Sequence, residues 1–77
     1  MKTKVYLIDV SQLLPEEKGI LRKRLSDWCF MVNDRYESNT WAAFLAFWDH
    51  DEDFKSVMKI PPECTVTDVT GWDLTKL

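Results

Sequence analysis

The chain has 77 residues, 45% of them hydrophobic and 30% charged, with a net charge of −3 at pH 7. That hydrophobic share with so small a net charge excludes a disordered segment, and the acidic balance lacks the field of a general nucleic-acid binder. No apolar run approaches the ~20 residues that span a bilayer, so no membrane partner is expected.

Residues 2–10 predict a strand: Val5, Tyr6 and Ile8 are strand formers and Ser11 bounds the stretch. Val5 and Leu7 share one face; Tyr6, Ile8 and Val10 share the other, and both faces are largely apolar. A helix follows. Pro15 suits its first turn, and Glu16 and Glu17 sit at the positive end of the dipole. Leu14, Leu21, Leu25, Trp28 and Val32 fall on one stripe at 3.6-residue spacing, with Lys18, Arg22, Lys23 and Arg24 mostly facing away. Gly19 weakens such a helix, which suggests close packing there. The helix is expected to end near Asp27, with a short strand at 28–33 and a hairpin loop from Asn33 to Asn39. A competing reading continues the helix to Glu37, and a βααβ arrangement is the alternative fold.

The run from Trp41 to Trp48 is eight apolar residues long, and Asp49, His50, Asp51, Glu52 and Asp53 follow it directly. As one helix over 40–59, Trp41, Phe44, Leu45 and Trp48 would cluster far from Phe54, Val57 and Met58. A break near Asp49–Asp51 resolves the conflict. It leaves a buried strand at 40–48 and a helix at 51–59, with Asp49 or Asp51 as N-cap and Glu52 and Asp53 in the first turn. Pro61 and Pro62 stop that helix, and 64–70 is a β-branched strand ended by Gly71. The predicted fold is α+β over a single domain, 1–77. It is a ferredoxin-like split βαβ sandwich, β-α-β-β-α-β, with two helices on one face of a four-stranded antiparallel sheet.

A two-layer fold of this kind leaves one sheet face open. If Val5, Leu7, Trp41, Ala43, Leu45 and Phe47 face the helices, then Tyr6, Ile8, Val10, Phe44 and Trp48 form an exposed aromatic face. The competing reading lets Trp72 and the C-terminal tail cover it. The segment 49–53 lacks the alternate spacing, glycine and distal glutamate of a calcium loop, so it reads as a capped, solvated helix start and not as a metal site. The single histidine, His50, and only two glycines leave no nucleotide loop and no site needing two histidines. Cys29 and Cys64 read as small buried hydrophobes, reduced in a cytoplasmic protein, because residues 1–10 carry no secretory signal.

No catalytic, metal or cofactor residue is expected. The sequence is read as a non-enzymatic protein-interaction or regulatory module, a homodimer or a partner binder, of the size of phage-type or bacterial host-directed inhibitors. Its expected interaction residues are Tyr6, Ile8, Phe44, Trp48, Asp49, Asp51, Glu52 and Asp53. Two rivals come from resemblance. Val5-Tyr-Leu-Ile-Asp-Val10 and Ala43-Phe-Leu-Ala-Phe47, with the acidic turn at Asp49, resemble the RNA-recognition motif over about a dozen residues. That resemblance implies base stacking by Tyr6 and Phe44. Thr40, Trp41 and Ala42 stand where that family has a basic residue, a glycine and an aromatic. Asp9, near the end of the first strand, is similar in position to the metal-binding acid of small ferredoxin-like nucleases.

Overall fold

The computed structural model describes residues 4–46 and 53–70. Within them the chain runs β1 (Lys4–Asp9), α1 (Pro15–Trp28), β2 (Met31–Glu37), β3 (Thr40–Leu45), α2 (Phe54–Val57) and β4 (Val66–Asp68). The strands form one antiparallel sheet in the order β2-β3-β1-β4, so the fold is α+β. No helix among the described residues is long and apolar enough to cross a membrane.

β1 and β3 are the two inner strands, which explains why neither sequence alternates cleanly between apolar and polar. An inner strand covered on both faces is apolar throughout. Every residue from Trp41 to Leu45 is buried, as are Val5 and Ile8. The register is decisive for sidedness: Val5 lies opposite Phe44, Tyr6 opposite Ala43 and Ile8 opposite Trp41. Residues directly opposite across an antiparallel pair point to the same side.

The larger cluster therefore joins Tyr6, Ile8, Trp41, Ala43 and Leu45 to Leu21 and Leu25 of α1 and Phe54 of α2. A smaller cluster on the other face holds Val5, Ala42, Phe44 and Val69, with Leu7 and Tyr36 packed against it. The expected sidedness is thus correct for β3 and inverted for β1. Tyr6, Ile8 and Val10 pack under the helices, while Val5 and Leu7 lie on the opposite face. Nor is that opposite face bare at its centre, since Phe44 is only 4% exposed. Phe47, Trp48 and Trp72 lie outside the described residues.

α1 begins as its sequence predicts, with Pro15 at the first helical position and Glu16 and Glu17 in the first turn. Its N-cap, Leu14, has no side-chain acceptor. Glu17 instead reaches back, and its Oε1 accepts the Leu14 N–H at 3.0 Å. The helix ends at Trp28, which overturns the continuous helix to Glu37. Of the predicted apolar stripe, Leu21 and Leu25 are buried but Leu14 and Trp28 are exposed. Helical spacing identifies a side of the helix; it does not set how far along that side the sheet reaches. Gly19 is also not a close-packing site among the described residues, where a Cβ added there would meet nothing within 4 Å.

The predicted loop from Asn33 to Asn39 is a correction as well. β2 runs through most of it, and its pairing with β3 shifts register between Asn33 and Glu37. The Asn33 Oδ1 accepts the Arg35 N–H at 2.9 Å, so the turn-forming residue makes its local bond inside a bulged strand. The reversal itself uses only Ser38 and Asn39, with Asn39 at φ 63°.

α2 is shorter than the predicted 51–59. Its N-cap is Asp53, whose Oδ1 accepts the Ser56 N–H at 2.9 Å, and not Asp49 or Asp51. It closes before Pro61. The Lys59 N–H donates to the Ser56 carbonyl (3.2 Å) and the Ile60 N–H to the Lys55 carbonyl (3.1 Å), with Lys59 at φ 55°. That pattern is a Schellman motif with lysine in the position usually given to glycine. β4 is confined to Val66–Asp68, within the predicted 64–70, because the Asp68 Oδ1 turns back to accept the Thr70 N–H at 2.9 Å.

Candidate functional site

Tyr6 and Ile8 are core residues of the helix-covered face. The Tyr6 ring stacks on Phe54, with centroids 4.1 Å apart and planes 3° from parallel. Its phenol is pushed above the ordinary tyrosine range, chiefly by burial and secondarily by the Asp68 and Asp53 carboxylates. Phe44 lies on the opposite face, so Tyr6 and Phe44 do not form one stacking platform. Asp53 is exposed and occupied as a helix cap, which holds its carboxyl below the usual range. Trp48, Asp49, Asp51 and Glu52 lie outside the described residues.

Asp9 ends β1, and its Oδ1 accepts the Ser11 N–H at 2.9 Å, which lowers its pKa. This is the turn chemistry of an Asp-x-Ser segment. Cys29 and Cys64 are both buried free thiols. Burial pushes the Cys29 thiol up to about 11, only partly opposed by the nearby Arg22 guanidinium, so its nucleophilic thiolate is suppressed at neutral pH.

Two surfaces stand out instead. The first is apolar. Where α1 passes into β2, Phe30 is 65% exposed and Met31 48% exposed, beside the partly exposed Trp28. Phe30 continues the Phe44 side of the sheet: the ring centroids are 6.4 Å apart, and the Phe30 N–H donates to the Phe44 carbonyl at 3.1 Å. Met31 sits opposite Phe44 in the ladder. Among the described residues β2 is the outermost strand on its side of the sheet, so this patch lies at the sheet's edge. The strand-forming run from Trp28 to Val32 is legible in sequence. Its exposure is not, because edge and centre strands differ only in their neighbours.

The second surface is a groove of about 150 Å³ between α1 and the turn after α2, lined by Leu13, Glu17, Ile20, Leu21, Arg24, Lys59 and Pro61. Arg24 ties the two walls together. Its guanidinium donates to the Met58 carbonyl at 2.9 Å and to the Lys59 carbonyl at 3.4 Å.

No protein-family model matches this chain, and no curated protein or solved structure does so either.

Proposed function

We propose that this chain is a non-enzymatic protein-interaction module, cytoplasmic, built on a ferredoxin-like split βαβ frame and acting through the apolar patch of Phe30 and Met31. The strand order and the antiparallel pairing of β3 between β1 and β2 support the frame. The carrying observation for the function is the patch itself. Two large apolar side chains at the entry to the outer strand β2 expose area that a lone folded chain gains nothing by exposing. Their position at the outermost described strand of the sheet suits self-association or the docking of a regulated partner. The interaction surface is therefore displaced from Tyr6 and Ile8 to the other side of the sheet and toward its edge.

Light scattering across a dilution series tests this. The wild type is expected to show a concentration-dependent mass that a Phe30→Ser/Met31→Ser variant loses while keeping its circular dichroism spectrum. Both side chains also border the buried Phe44, so some loss of stability accompanies the change and the circular dichroism spectrum is the check that the fold is kept. A wild type that stays monomeric, and whose cross-linking to partner proteins the double variant leaves unaltered, overturns the proposal.

A further inference from the structure

We propose that the groove between α1 and the 58–61 turn is a second docking site, for an acidic peptide segment of a partner protein that carries one aliphatic anchor side chain. The floor is apolar, formed by Leu13, Leu21, Pro61 and Ile20, which is 60% exposed at the groove's rim. Its volume of about 150 Å³ matches a cavity that takes one benzene-sized group, and so one leucine or isoleucine side chain.

The charge at the rim is positive although the whole chain is acidic. Among the described lining residues Glu17 is the one acid, and its carboxylate is engaged by the Leu14 N–H. Arg24 uses one terminal nitrogen on the backbone carbonyls of the opposite wall. The same bonds fix the guanidinium in place, and among the described residues they leave its other N–H groups for a carboxylate. Among the described residues no carboxylate pairs with the Lys59 ammonium.

A second observation singles out Lys59. Its backbone is left-handed, at φ 55°, in the helix-terminating position that glycine fills without strain. The chain holds a cationic side chain at a position where the backbone disfavours one. Strain kept at a groove that its own side chain lines is the pattern expected of a binding residue.

The probe is a synthetic pentapeptide, one leucine flanked on each side by two glutamates, titrated at low salt into the full ¹⁵N-labelled chain and followed by amide shifts. Shifts are expected at residues 13–24 and 58–61. Affinity should fall with added salt and vanish when glutamine replaces every glutamate. Lys59→Gly is the discriminating variant: it should raise the melting temperature, by relieving strain, yet weaken the peptide about fivefold, the upper range for one partly exposed ion pair. Ile20→Glu, at an exposed position, should abolish binding without unfolding the chain.

Equal binding of the glutamine peptide, unchanged affinity in Lys59→Gly, or shifts confined to residues 28–31 would each overturn the proposal. So would an absence of shifts at millimolar peptide. Concentration-dependent shifts at 13–24 without peptide would show that a second copy occupies the groove, and would overturn it equally. The Phe30 and Met31 patch lies outside this groove, so failure here leaves the self-association test unaffected.

Discussion

Tyr6 shows how one side chain's role is set by which side of a strand it occupies. It is an exposed base-stacking ring under the RNA-recognition reading and a core ring against Phe54 in the structure. The two roles differ in energy. Removing a buried aromatic ring costs about 3 kcal/mol or more, because the lost burial and the remaining cavity add. Tyr6→Ala is therefore expected to lower the urea midpoint sharply. An unchanged midpoint would return Tyr6 to the surface. Lys59 gives the opposite sign: a left-handed backbone costs a non-glycine residue ~1 kcal/mol, so its replacement by glycine is expected to stabilise. The aspartates at element ends are simpler. Asp9, Asp53 and Asp68 each accept a backbone N–H two or three residues ahead, in the local patterns Asp-x-Ser, Asp-x-x-Ser and Asp-x-Thr.

At the scale of elements, α1 is the least optimised piece of the fold. It has leucine at its N-cap and glycine in its exposed interior. Since no described residue lies within 4 Å of a Cβ at Gly19, alanine there is expected to stabilise by about 1 kcal/mol through helix propensity and a less disordered unfolded chain. Leu14→Asp should add about 1 kcal/mol by supplying the missing cap acceptor. In a domain this small each change should raise the melting temperature by roughly 4–8 °C, which calorimetry would read directly. A fall on Gly19→Ala would mean that the position is covered. β2 teaches a different lesson. Asn33, Asp34 and Arg35 have the composition of a loop, yet partner strand β3 draws them into the sheet and the local preference survives only as a bulge. The bulge also interrupts the outer edge, one of the ways natural sheets limit uncontrolled pairing.

For the whole molecule, pH dependence follows from the same aspartates. The folded pKa values of Asp9, Asp53 and Asp68 are lowered, mainly by the hydrogen bonds from Ser11, Ser56 and Thr70. A group with a depressed folded pKa favours the native state above its unfolded value, near ~3.9 for Asp. That contribution disappears as pH falls through the lower folded value. Stability should thus be flat from neutrality to about pH 5 and fall below about pH 4. An Asp9→Asn/Asp53→Asn/Asp68→Asn variant keeps the acceptors but loses the titration, so its urea midpoint should fall less steeply with acid. An identical acid limb in both proteins would assign acid unfolding to other groups. The ion pairs Arg22–Asp34 (3.7 Å) and Lys4–Asp68 (3.9 Å) are at the surface, where such pairs add little.

The sequence by itself determined the kinds and order of the elements. Pro15 with two glutamates starts a helix, β-branched and aromatic runs make strands, and the phase conflict between Trp41–Trp48 and Phe54–Met58 requires a break between them. These are local preferences, written in residue type and spacing. Only the tertiary structure decided sidedness and exposure. Val5 and Leu7 could face either way on sequence grounds because β1 is apolar on both faces. The pairing of Val5 with Phe44 chose one, and a one-residue slip would have chosen the other. Exposure of Phe30 and Met31 likewise depends on β2 ending the sheet, and the groove beside Ile20 depends on a turn 38 residues or more further along the chain. Both are consequences of which elements become neighbours, a property of long-range packing that no local window of the sequence contains.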